Sequence, residues 1–91
     1  MWYMKDKELE KIFKSFANKR RIAIVRFLKN EKEATVGTIS EKINLSFKST
    51  SRHLSVLFSA DIIEKDQRSL QVFYCLSTNL SEPARKIISL L

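Results

Sequence analysis

The chain has 91 residues, 44% of them hydrophobic, and a formal net charge of +7. That length suits one domain over 1–91, and no apolar run approaches the ~20 residues that cross a bilayer. One cysteine, Cys75, excludes an internal disulfide and a multi-cysteine zinc site, as expected of a protein kept in the reducing cytoplasm.

The charges within the first seven residues, with no apolar stretch among them, are unlike a secretory signal. A basic balance suits a polyanionic partner, either nucleic acid or an anionic membrane surface. The surplus is uneven: residues 1–32 hold ten Lys or Arg against four Asp or Glu. Gly and Pro occur once each, where ~7% and ~5% are usual, so regular elements joined by short turns are expected.

From Lys5 to Ala17, Leu9, Ile12, Phe13 and Phe16 recur at spacings of three and four between lysines, which predicts an amphipathic helix. Asn18 is a good N-cap for a second helix with Ile22, Ile24, Val25, Phe27 and Leu28 inward, ending at Asn30. Thr35 caps a short third helix bearing Val36, Ile39 and Ile43. After the connection Asn44-Leu45-Ser46, Ser46 caps a fourth helix to about Ala60. Its inward stripe is expected to be Phe47, Thr50, Leu54 and Leu57, with Phe58 alongside. The opposite side carries Lys48, Ser49, Arg52, Val56 and Ser59 and no carboxylate. An idle solvated face usually mixes both signs, and this one does not.

Beyond Asp61 the period changes. Ile62–Lys65 and Leu70–Leu76 are rich in β-branched and aromatic residues, which predicts a hairpin. Asp66-Gln67-Arg68-Ser69 is read as its turn. A last helix from about Ser81 tolerates Pro83 in its first turn and aligns Ala84, Ile87, Ile88 and Leu91. The order helix-helix-helix-helix-strand-strand-helix is mainly α with a small β hairpin, a winged helix-turn-helix. In that arrangement the fourth helix enters a major groove and the hairpin reaches nearby backbone or minor groove.

Leu45-Ser46-Phe47-Lys48-Ser49-Thr50-Ser51-Arg52-His53-Leu54-Ser55-Val56-Leu57 resembles the recognition-helix signature of the ArsR-like (arsenic-resistance repressor type) family. Phe16-Ala17-Asn18-Lys19-Arg20-Arg21-Ile22-Ala23-Ile24-Val25 resembles a second family segment, with Arg21 on its arginine and Asn18 and Lys19 replacing its Asp and Pro. The likeness spans about residues 9–77. It implies a DNA-binding regulator acting as a homodimer on an inverted-repeat operator in double-stranded DNA, with no membrane partner. DNA contacts are implied for Lys48, Ser49, Ser51 and Arg52, and for Gln67 and Arg68 on the wing.

Arg21 is a further phosphate candidate, since Lys19-Arg20-Arg21 put three cations against the positive end of a helix dipole. The resemblance also implies dimerisation through the first and last helices. Leu9, Ile12, Phe13, Phe16, Ile87, Ile88 and Leu91 would form that seam, agreeing with their reading as more apolar surface than one small domain buries.

Metal-sensing relatives carry thiolates and an aspartate where this chain has Thr35, Gly37 and Thr38. The family's other site needs His and carboxylates on the last helix, which has only Glu82. Four converging ligands are needed for tetrahedral zinc, so no metal and no cofactor is expected.

His53 is read as a packed residue with one hydrogen bond, and Cys75 as an inert strand residue rather than a redox switch. Trp2 and Tyr3 are read as seam anchors or core cover. No nucleophile–base set or phosphate loop occurs, so catalysis is not expected. The competing reading is a winged-helix module that binds protein or RNA.

Overall fold

Short polar side chains stand at the starts of four helices and bond the backbone N–H groups that helix geometry leaves unpaired. A computed structural model describes residues 4–91, so Trp2 and Tyr3 lie outside the described residues. Helix α1 (Asp6–Phe16) opens with Lys5 N donating to Glu8 Oε1 at 3.2 Å. Asn18 Oδ1 starts α2 (Lys19–Asn30), accepting from Arg20 N at 2.9 Å and Arg21 N at 3.1 Å. Thr35 caps α3 (Val36–Ile43), Ser46 caps α4 (Phe47–Ser59) and Ser81 caps α5 (Glu82–Ser89). Caps of this kind contribute ~1 kcal/mol each; the sequence marks Asn18, Thr35 and Ser46 as caps and Ser81 only as the start of its helix.

The core gathers Ile12 and Phe16 of α1, Ile24, Val25 and Leu28 of α2, and Ile39 of α3. Leu54 and Leu57 of α4, with Ile62 and Ile63 behind them, complete it beside Ala84 and Ile88 of α5. Burying a Leu, Ile or Phe side chain is worth ~1.5–3 kcal/mol, so this set holds α4 against α2 and α3. Lys29 Nζ donates to Ile88 O at 3.1 Å, tying the C-terminal ends of α2 and α5 together.

The hairpin is β2 (Ile63–Arg68) and β3 (Gln71–Leu76). A strand that the sequence does not announce, β1 (Ala34–Thr35), pairs antiparallel with β3 through Ala34↔Tyr74 and Thr35↔Phe73. The sheet order is β1-β3-β2, and two residues are too few to show a period-2 pattern.

Three expectations are corrected. Pairing continues past Lys65 to Arg68↔Gln71, leaving Ser69 and Leu70 as the turn. Ser69 takes the positive φ, 58°, that a two-residue hairpin turn requires. Leu70, expected to open the second strand, is therefore a turn residue and 96% exposed. Phe47 is 62% exposed and Phe58 is also exposed. The core line of α4 is Thr50, Leu54 and Leu57; Phe47 lies one turn beyond its end, and the Phe58 ring carries Lys65 Nζ at 4.6 Å. Finally, Ile12, Phe16 and Ile88 belong to the chain's own core and offer no free surface to a second copy.

Candidate nucleic-acid interface

Helix α4 is braced along its Thr50–Leu54–Leu57 line, and its far side faces solvent. Lys48, Arg52, Ser55 and Ser59 are exposed there, with Ser49 and Ser51 half-buried at its edges. Among the described residues neither Lys48 nor Arg52 enters an ion pair, and no carboxylate lies between Phe47 and Ser59. The Ser49 N–H is occupied by the Ser46 cap at 3.1 Å, so Ser49 has only its hydroxyl to offer. The face is narrow, positively charged and made of small residues between two long cations, dimensions that a major groove admits.

Arg21 is in a different situation, and its reading as a phosphate contact is corrected. Its Nε donates to Ser15 O at 2.7 Å and its Nη2 to Lys14 O at 3.1 Å, closing the C-terminal carbonyls of α1. Its Nη1 lies 3.1 Å from His53 Nδ1 on α4. An arginine has no lone pair to give, so Nδ1 accepts and the neutral ring carries its proton on Nε2. Burial first, then the charges of Arg21 and Arg20, hold His53 below its ordinary value of 6.5. The pair is a clasp joining α1, α2 and α4. His53 is the packed, hydrogen-bonded residue the sequence predicts.

The wing also departs from a simple reading. Arg68 Nη1 and Nη2 donate to the two carboxylate oxygens of Glu33 at 2.7 Å each, a bidentate pair. Its Nε donates to Asp66 Oδ2 at 2.9 Å, and its guanidinium lies 4.5 Å from the centre of the Phe73 ring. These carboxylates raise the Arg68 pKa, and the Arg68 hydrogen bond holds Glu33 below the usual carboxylate range. Arg68 is thus paired within the protein, while Gln67 remains exposed. Behind it, Glu64 accepts from Thr78 N, Ser77 Oγ and Thr78 Oγ1, fixing the exit of β3 and lowering its own pKa. Cys75 is half-buried, and burial raises its thiol pKa, opposite to what a reactive thiolate needs.

Residues 18–65, from the α2 cap through the first residues of the wing, match the family model of the bacterial regulatory protein, arsR family. The chain belongs to that family. The transcriptional repressor SdpR of Bacillus subtilis is 31% identical over 72 residues, covering 79% of each chain. HlyU from Vibrio cholerae superposes with a TM-score of 0.79 at 29% identity, over 96% of this chain and 92% of that one. A winged helix-turn-helix DNA-binding domain from Mycobacterium bovis, described as homodimeric, gives 0.80 at 21% identity, over 99% and 85%, a likeness of fold. As an ArsR-family winged helix-turn-helix protein, the chain is a DNA-binding transcription regulator.

This ArsR-family chain does not fit the family's metal chemistry. Thr35 Oγ1 is engaged by Thr38 N at 3.3 Å and Thr38 Oγ1 at 3.2 Å, and Gly37 has no side chain. Among the described residues no three His, Cys, Asp or Glu side chains converge as metal ligands, and no helix is long and apolar enough to cross a membrane. Of the expected dimer seam, Phe13 remains 53% exposed, with Leu9, Ile87 and Leu91 half-buried. Leu90, outside that expected seam, is 82% exposed at the end of α5.

Proposed function

We propose that the chain is a cytoplasmic, metal-independent and non-catalytic repressor that binds an inverted-repeat operator as a homodimer. One α4 enters the major groove of each half-site. Lys48 and Arg52 are its base or phosphate contacts, Ser49 and Ser51 bond phosphate, and Gln67 approaches from the wing. The observation that carries this reading is the solvent-facing side of α4, where two cations lack acidic partners among the described residues. Arg or Lys on guanine is the commonest specific major-groove contact. The likeness to a repressor at 31% identity supports the sense of regulation. The likeness to a homodimeric domain, together with exposed Phe13 and Leu90, supports a seam built from α1 and α5.

Selection of bound sequences from a random duplex pool tests the proposal. A twofold dimer enriches an imperfect inverted repeat whose half-sites lie ~10 base pairs apart, centre to centre. No enrichment over the starting pool, or enrichment of an isolated half-site, contradicts it.

A further inference from the structure

The wing of a DNA-binding winged helix ordinarily gains from positive charge, yet here the tip offers none that is unpaired. Arg68 is held by Glu33 and Asp66, and the remaining tip residues Gln67, Ser69, Leu70 and Gln71 are uncharged. The tip instead presents a leucine. Leu70 is 96% exposed, so the fold makes almost no use of it. Turn chemistry does not call for it either, since Asn, Asp and Gly are the residues that two-residue hairpin turns favour. Leu70 and Val72 of the wing line a single open cleft of about 490 Å³ with Phe47 and Ser51 of α4. The wing tip and the recognition helix therefore open onto the same space.

We propose that Leu70 is an apolar minor-groove contact that makes the wing selective for A·T pairs beside the sequence read by α4. The inference rests on the DNA-binding reading above. Apolar side chains inserted from the minor groove are a recurrent way to hold a duplex. The floor of that groove exposes only acceptors at A·T pairs, whereas guanine adds its N2 amino group. An apolar tip meets that amino group sterically and leaves its N–H without an acceptor, which is costly once water is excluded. Leu70 thus discriminates by shape and desolvation. The paired Arg68 keeps the approach free of a competing phosphate contact.

The test uses the operator obtained by selection, with the pairs beneath the wing located by hydroxyl-radical footprinting. Leu70→Ala weakens operator binding about tenfold, the size expected for losing most of a buried leucine contact. Its slope of log affinity against log salt equals the wild type's, because an apolar contact releases no counterion. A G·C pair placed beneath the wing weakens the wild type but not Leu70→Ala, and inosine·C, which lacks the amino group, restores wild-type binding. Because Leu70 is almost wholly exposed, the variant keeps the wild-type melting temperature.

Equal operator affinity of the two proteins overturns the proposal. So does a loss accompanied by a shallower salt slope, or a change of oligomeric state in sedimentation, which would assign Leu70 to a protein contact. A wild type that binds no duplex at any salt removes the DNA reading itself, and the wedge falls with it.

Discussion

Arg52 on the recognition helix and Arg68 on the wing occupy the two elements that a winged helix turns toward a duplex, and the chain treats them in opposite ways. Around Arg52 no carboxylate occurs from Phe47 to Ser59, and no ion pair forms among the described residues. Around Arg68 two carboxylates and an aromatic ring converge. The same side chain is left available in one place and made a structural strut in the other. Arg21 extends the contrast, because its guanidinium closes the end of α1 and reaches His53. Which cations of a basic sequence are left available to a partner therefore depends on how many acceptors the fold supplies to each.

The contrast can be broken most forcefully at Arg52. Arg52→Ala costs ~1–3 kcal/mol of operator affinity if the residue reads a base, with a smaller loss on random duplex. Gel shifts showing the same loss on both duplexes assign Arg52 to phosphate. Arg21→Ala acts on the fold instead. Losing hydrogen bonds from a charged donor to two carbonyls and a ring nitrogen lowers unfolding free energy by about 2 kcal/mol, while operator affinity per folded molecule is unchanged. Denaturant titration and gel shifts on one preparation separate the two effects.

Glu33→Gln sharpens the comparison by weakening the hold on Arg68. Affinity at low salt rises about threefold, modest because the pair is solvent-exposed, and the salt slope steepens by about one phosphate contact. An unchanged slope shows that Arg68 stays in place.

The smallest effect concerns pH. A His53 held below 6.5 in the folded state binds its proton more readily when unfolded. Stability is therefore complete above pH 6.5 and declines as the solution is acidified below it. Glu33 and Glu64 are depressed from 4.5, so their stabilisation is intact above that pH and is lost only on acidification below it. Melting temperatures at pH 7.5 and 5.5 should differ more for the wild type than for His53→Gln. Equal differences remove His53 from the clasp.

Much of the fold is written in local chemistry. Asn18, Thr35, Ser46 and Ser81 cap the helices they precede, and the apolar spacing of α2 and α4 marks Val25, Leu28, Leu54 and Leu57 as core. The exposed face of α4 follows from the same periodicity. What escaped depends on partners distant in sequence. Glu33 and Arg68 are 35 residues apart, farther than any helix among the described residues reaches, and Arg21 meets His53 across 32. Asp66 and Arg68 stand two apart and share a face of a strand, but reading both as turn residues hides their pairing. The turn was misplaced because it contains no glycine, so the signal that normally locates a tight hairpin is missing at Ser69-Leu70.

The account depends most on Arg52 reaching a base from the open side of α4. A double-substitution cycle across the interface measures this directly, pairing Arg52→Ala with 7-deazaguanine at the guanine of each half-site. Removing N7 takes away one of the two acceptors that a bidentate arginine uses. The account predicts that 7-deazaguanine weakens the wild type and scarcely alters Arg52→Ala. Equal losses for both proteins at every guanine would contradict it.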